Sequence, residues 1–349
     1  MPSRKRTSVA ASVSVGPLAE PDLDRADEIF RVAFGTFLGV PEPETFFGTA
    51  DYVRTRWAAD PHAAFAATVE GEVVGSNFAA DWGSVGYFGP LTVRPDLWDQ
   101  GIGRHLMEPI MACFDTWENR HLGLFTFSHS PKHLELYRRY GFWPRFLTAI
   151  MKKQVAVSAA VPGRVLYGEL TAAERPEALT LSRALTESVY DGLSMDREIM
   201  ATQAQGLGET ILLEGSDSDL EGLAVCHCGA GSEAGEDVCF VKFGAVRPGP
   251  DAADRFERLL TACEQLATEK GLGATGRRSE PGPPGCLPAH GRPRFPYLAA
   301  RRDHAQAKRA WIQPLGRLRN RRLALSDHHA LPTGCHRPID HTLSAPSPR

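Results

Sequence analysis

No apolar run in this sequence approaches the roughly 18 residues needed to cross a bilayer, so a membrane-spanning helix is not expected. The opening MPSRKRTS is basic, but the Val-Ala-Ala-Ser-Val-Ser-Val that follows is too short and polar for a secretory signal, and cytoplasmic residence is the expectation. The seven cysteines, at 113, 226, 228, 239, 263, 286 and 335, lack the spacing of a disulfide framework. Free thiols are expected. Cys226-His227-Cys228 with Cys239 lacks the two or more residues that separate paired zinc ligands, so no metal is expected. Two nucleotide signatures are also missing. Near the chain's main glycine loop there is neither the Lys-Ser/Thr of a P-loop nor the third glycine of a dinucleotide fingerprint, which disfavours ATP and NAD.

What is present is a globular composition, 42% hydrophobic and 23% charged over 349 residues, enough for two domains. One stretch organises it. Leu91-Thr92-Val93 ends an apolar strand, Arg94-Pro95 follows, and Gln100-Gly101-Ile102-Gly103-Arg104-His105 leads into an apolar-periodic helix over 105–117. Glycines at 101 and 103 let backbone N–H groups approach a ligand, and the helix turns its positive dipole end to the same place. Strand, glycine loop and helix together are suited to an anion, most simply a phosphate.

About thirty residues on, His133-Leu134-Glu135-Leu136-Tyr137-Arg138-Arg139-Tyr140-Gly141-Phe142 has helical spacing, stops at Gly141 and resumes as a strand over 146–151. The pair of motifs resembles the GNAT acyltransferases, through the Gln-x-x-Gly-x-(Gly/Ala) loop and the Leu-Tyr-x-x-x-Gly-Phe element. The resemblance spans roughly 63–151, with His105, Ser130 and His133 departing from the family's usual small residue, asparagine and alanine. It implies an α/β fold with a mixed, splayed sheet flanked by helices, and acetyl-CoA as co-substrate without a metal. The strands over 85–93 and 122–127 would part to admit the pantetheine arm, whose amides would pair with main-chain groups at Leu91, Thr92 and Val93. Gln100, Gly101, Ile102, Gly103, Arg104 and His105 would hold the pyrophosphate. Tyr137 would protonate the leaving thiolate. His129 and Asp81 are the candidate bases, and Glu42 and Glu44 lie in a loop that often covers substrate. The acceptor would be a primary amine of a small molecule or peptide, attacking directly in a ternary complex.

The remaining elements follow the family's order: a strand over 13–18, helices over 21–34 and 49–58, a hairpin over 63–69 and 72–80 turning at Glu70-Gly71, and Gly75 marking a bulge or close approach that would suit substrate access. After Lys153 the pattern begins again. A helix over 170–190 precedes strands over 210–214, 220–228 and 238–246 and a helix over 252–270, and Val93-Arg94-Pro95 recurs as Val246-Arg247-Pro248 without the glycine loop. The chain therefore reads as a catalytic domain over 12–153, a degenerate copy over 164–275 that could act with the first as a pseudo-dimer, and a tail over 276–349. The tail holds fourteen basic against four acidic residues and eleven of the 26 prolines, and disorder is expected of it. An alternative keeps the fold without catalysis, as a CoA-binding regulatory module whose tail binds nucleic acid, but sparse aromatics at Phe295, Tyr297 and Trp311 disfavour that partner. The oligomeric state is not legible.

Overall fold

The hairpin at Glu70-Gly71 forms as the pattern requires. Strands β2 (Ala64–Val69) and β3 (Glu72–Trp82) pair antiparallel across two left-handed residues, φ 53° and 84°. These coordinates are a computed structural model, which describes residues 13–148, 152–155, 160–215, 219–273 and 295–301, all inside one unit, Met1–Gly316. Strand β1 (Val13–Pro17) precedes helix α1 (Leu23–Leu38) and helix α2 (Val53–Ala59). After β3 come β4 (Val85–Phe88), β5 (Thr92–Val93), α3 (Ile102–Thr116), β6 (His121–Phe125), α4 (Pro131–Arg138) and β7 (Trp143–Thr148). The result is a mixed sheet. Helices α1 and α2 cover one face through Ile29, Phe30 and Val53, and α3 and α4 cover the other through Met107, Ile110, Phe114 and Tyr137. Among the described residues, no helix is long and apolar enough to cross a membrane.

The single strand expected over 85–93 is two. Gly89-Pro90 interrupts it, because proline supplies no N–H to a ladder. Strand β4 pairs with β3 from Ala79↔Phe88 to Trp82↔Val85, and β5 returns to β3 at Gly75↔Val93 and Ser76↔Thr92. Gly75 is thereby explained. A Cβ there would lie 2.5 Å from the Thr92 carbonyl oxygen, so its close approach serves β5 and not substrate access.

A second sheet holds β8 (Arg164–Leu166), β9 (Gly208–Glu214), β10 (Leu220–Gly229) and β11 (Gly235–Val246) in the order β11-β10-β9-β8. It is accompanied by α5 (Arg175–Val189), α6 (Asp196–Gln205) and α7 (Ala252–Glu269). Neither β8 nor α6 is expected from the sequence. The buried residues of α6 are Glu198, Ile199 and Thr202, so it lacks the apolar stripe that would announce it. One backbone bond recurs between the halves: Arg94 N–H donates to the Val74 carbonyl and Arg247 N–H to the Glu221 carbonyl, both at 2.8 Å. The halves share core as well as backbone. Val85 packs with Leu185, Leu193 and Leu223, and Ser84 N–H donates to the Gly192 carbonyl at 2.8 Å.

The segment over 276–349 contains one described element, β12 (Phe295–Arg301), which lies antiparallel between β6 and β7. Disorder does not describe these seven residues, and the rest of the tail, like the leader over 1–11, lies outside the described residues. Pro296 brings no N–H to a ladder, which disfavours a central strand. Its position resolves the conflict: it pairs with Leu147 of β7 but sits beyond the β6 register, which begins at Tyr297↔Phe125.

Candidate active site

Helix α3 opens at Gly101, which is left-handed at φ 83° and makes no side-chain cap. Ile102 is fully buried and anchors the turn in the core formed with Leu97 and Leu106. The Arg104 N–H donates to the Gly101 carbonyl at 3.0 Å, so the amides left without an intrahelical acceptor at this helix start are those of residues 101–103, and Gly101 and Arg104 are exposed beside them. This is a cradle for an anion. Lys132 of α4 pairs with Asp99 on its rim, and the Tyr140 hydroxyl donates to the Arg104 carbonyl at 2.9 Å. Gln100 reaches back to the Asp96 carbonyl at 3.4 Å.

The two loop glycines serve different ends. A Cβ on Gly101 would meet nothing within 4 Å, whereas one on Gly103 would lie 3.5 Å from Leu136 and 3.6 Å from Leu91. Gly103 thus looks inward to α4, and Gly101 carries the turn. Gly101→Ala is expected to cost about 1 to 2 kcal/mol, the left-handed penalty of an L-residue, and to weaken anion binding by shifting the first turn. Gly103→Ala is expected to fit with little loss. Thermal melting and acetyl-CoA titration of the two variants check the contrast.

Strands β4 and β6 pair in parallel at Val85↔His121, Gly86↔Leu122 and Tyr87↔Gly123, and there the ladder stops. Beyond it lies the wedge expected from the resemblance. Leu91, Thr92 and Val93 follow on one side, although the Val93 carbonyl accepts from the Trp98 indole N–H at 2.7 Å and the Thr92 hydroxyl faces Ser76 at 3.3 Å. On the other side Tyr137 is buried, its ring 5.8 Å from that of Phe88. Its hydroxyl hydrogen-bonds the Thr126 side chain, and burial pushes its ionisation above the ordinary phenol range despite that bond. The phenol keeps its proton, as a donor must.

The candidate bases fall in different settings. His129 is exposed and stacks on Phe37 at 5.5 Å. Asp81 is occupied. Its carboxylate accepts from Asn119 at 3.1 Å and from the Gly83 N–H at 3.0 Å, and pairs with Arg197 of the second half at 3.3 Å. Glu42 and Glu44 are exposed at the 41–48 loop. The five described cysteines are free thiols. Cys226 lies 3.8 Å from Cys263 and Cys228 lies 3.7 Å from Cys239, sulfur to sulfur. Among the described residues, no group of three or more His, Cys, Asp or Glu is arranged to hold a metal.

One group of residues beside the wedge was invisible in the sequence. Arg56 of α2 forms a two-point pair with Glu233, in the turn between β10 and β11, at 2.8 and 3.2 Å. Lys242 of β11 joins Glu233 at 3.1 Å to Glu198 of α6 at 2.9 Å, and Glu198 accepts from the Trp82 indole at 3.0 Å. Burial pushes the Glu233 carboxyl up, but the charges of Arg56 and Lys242 outweigh it and hold it well below the carboxylate range. Burial likewise lowers Lys242, and the charges of Glu198 and Glu233 raise it past its ordinary value. All four groups are therefore charged. Arg56 also donates to the Gly89 carbonyl and lies over the rings of Tyr52 and Tyr87, at 5.6 and 5.9 Å. Burial raises the Tyr87 phenol to about 12, and its hydroxyl meets the Phe125 backbone across the split between β4 and β6.

A family model for the acetyltransferase (GNAT) family matches residues 26–142. No curated protein sequence matches the chain. Among solved structures, a GCN5-related N-acetyltransferase from Sphaerobacter thermophilus is 12% identical, with a TM-score of 0.47, covering 83% of this chain and 95% of that one. The PaiA N-acetyltransferase of Thermoplasma acidophilum, in complex with coenzyme A, is 13% identical, with a TM-score of 0.34, over 38% of this chain and 91% of that one. The ribosomal-protein-S18-alanine N-acetyltransferase of Escherichia coli is 18% identical, with a TM-score of 0.32, over 39% of this chain and 81% of that one.

Proposed function

Since residues 26–142 are a domain of the acetyltransferase (GNAT) family, we propose that the protein moves an acetyl group from acetyl-CoA to a primary amine of a small molecule or peptide in the cytoplasm. The observation that carries this reading is the parting of β4 from β6 at Tyr87↔Gly123, beside an α3 whose uncapped first turn faces out at Gly101.

Acetyl-CoA would supply the activated acyl group, and the chain would supply position and protons. Its pyrophosphate would lie on the amides of residues 101–103, with Gln100, Arg104 and His105 on the rim. Its pantetheine arm would run along residues 91–93. Because Trp98 holds the Val93 carbonyl, the arm would either pair with Leu91 or take the place of that indole. The amine would attack directly in a ternary complex, and Tyr137 would deliver its proton to the departing thiolate. His129 is the better-placed base of the two expected, because the hydrogen bonds and ion pair of Asp81 already engage it. The second half, which lacks the glycine loop, would act as a degenerate copy that supports the first.

A thiol-release assay with acetyl-CoA against a panel of primary amines tests the reading. The expected result is coenzyme A release that depends on one class of amine. Failure to bind acetyl-CoA at about millimolar concentration, the upper end of ordinary Michaelis constants, would exclude it.

A further inference from the structure

We infer that Glu233, in the second half, is a positioning residue for acyl transfer in the first, acting through Arg56 on the end of β4 where the wedge opens. The inference rests on the acyl-transfer reading above and adds to it a specific task for the second half.

The chain of contacts is short. Glu233 is almost fully buried, its side chain 1% exposed. Its two oxygens take the Nε and one terminal nitrogen of Arg56, the fork geometry that fixes a guanidinium plane. The remaining Arg56 nitrogen donates to the Gly89 carbonyl. Gly89 in turn donates its N–H to the Phe78 carbonyl at 2.8 Å, and it stands two residues before Leu91. The same guanidinium lies over Tyr87, the last β4 residue paired with β6. One ion pair thus touches the end of β4 on both sides of Phe88, at the point where β4 leaves β6.

Glu233 is itself fixed from the second half. Lys242 holds its carboxylate at 3.1 Å, and the turn that carries it is bonded to the first half by Asp51 N–H to the Ser232 carbonyl and by Gly231 N–H to the Thr49 carbonyl, both at 2.9 Å. Such a network contributes little net stability against a well-packed apolar replacement. Its effect is on geometry. Acyl transfer is sensitive to geometry, since a displacement of about 1 Å can lower the rate as much as a hundredfold.

The test uses the full chain. Glu233→Gln keeps the shape and loses the charge, while a double variant, Arg56→Met with Glu233→Met, removes both charges and leaves Lys242 paired with Glu198. Hydrogen exchange without cofactor is read at residues 87–89 and compared with β2, and kcat is read apart from acetyl-CoA affinity. In both variants kcat is expected to fall about tenfold, with acetyl-CoA affinity kept within about threefold. Exchange should rise about tenfold at residues 87–89 and not in β2. The double variant should melt close to the wild type. Unchanged exchange at residues 87–89, or a double variant with wild-type kcat, would overturn the inference. A chain that binds no acetyl-CoA would remove the acyl-transfer reading, and the exchange measurement would still decide whether Glu233 holds the end of β4.

Discussion

Tyr137→Phe is expected to lower kcat for acetyl transfer about a hundredfold, the lower end of what a positioned general acid contributes. Acetyl-CoA affinity should barely change, because the lost hydroxyl hydrogen-bonds Thr126 in the apo protein. Loss of that bond should cost about 1 kcal/mol of stability. The ring stays packed against Phe88 and Phe142, so the fold is preserved. Nearby Tyr140 cannot take over, since its hydroxyl is committed to the Arg104 carbonyl. Because burial raises the Tyr137 phenol above its ordinary value of 10, the wild-type rate should not fall on its account below pH 10. Steady-state kinetics with separate kcat and KM check this, and an unchanged kcat would remove Tyr137 from the mechanism.

The second large effect is on stability in acid. His227 is fully buried in β10, its Nδ1 accepting the Glu233 N–H and its Nε2 facing the Thr202 hydroxyl, both at 3.4 Å. A proton on Nδ1 would set two N–H groups against each other. Burial, with Lys242 adding to it, lowers this imidazole from 6.5 to about 4. Between those values the unfolded chain binds the proton and the folded chain does not, so stability is present above pH 6.5 and is lost as pH falls towards 4. The loss should be roughly 3 kcal/mol from this group. Glu233 and Glu198, both held low in the folded state, act in the same direction below the ordinary carboxylate value of 4.5. Urea unfolding at pH 7, 5.5 and 4.5 should show the fall, and His227→Gln should flatten the part above pH 4.5. Equal slopes in both proteins would contradict this assignment.

Much of the first half was legible because its elements announce themselves locally. The Glu70-Gly71 turn, the Gly101 loop and the Tyr137 helix each carry their signal within about ten residues. Other features depend on the fold. The Cβ position of Gly103 faces Leu136 and Leu91 at ordinary contact distance, and Asn119 and Arg197 engage the Asp81 carboxylate. Helix α6 escaped because its buried face includes Glu198 and Thr202, and β12 because Pro296 stands in it. The Arg56–Glu233 pair joins positions 177 apart. Nothing around either residue distinguishes it from a solvated charge, so only the fold reveals that both are buried.

The central claim is that acetyl-CoA lies along residues 91–93 and on the first turn of α3. Hydrogen exchange of the full chain with and without acetyl-CoA tests it most directly, because the amides of residues 101–103 have no intrahelical acceptor and exchange quickly unless a ligand covers them. The account predicts new protection at residues 91–93 and 101–103 and none at residues 246–255, where Val-Arg-Pro recurs without the glycine loop. Protection at 246–255, or none at 101–103 under saturating acetyl-CoA, would contradict it.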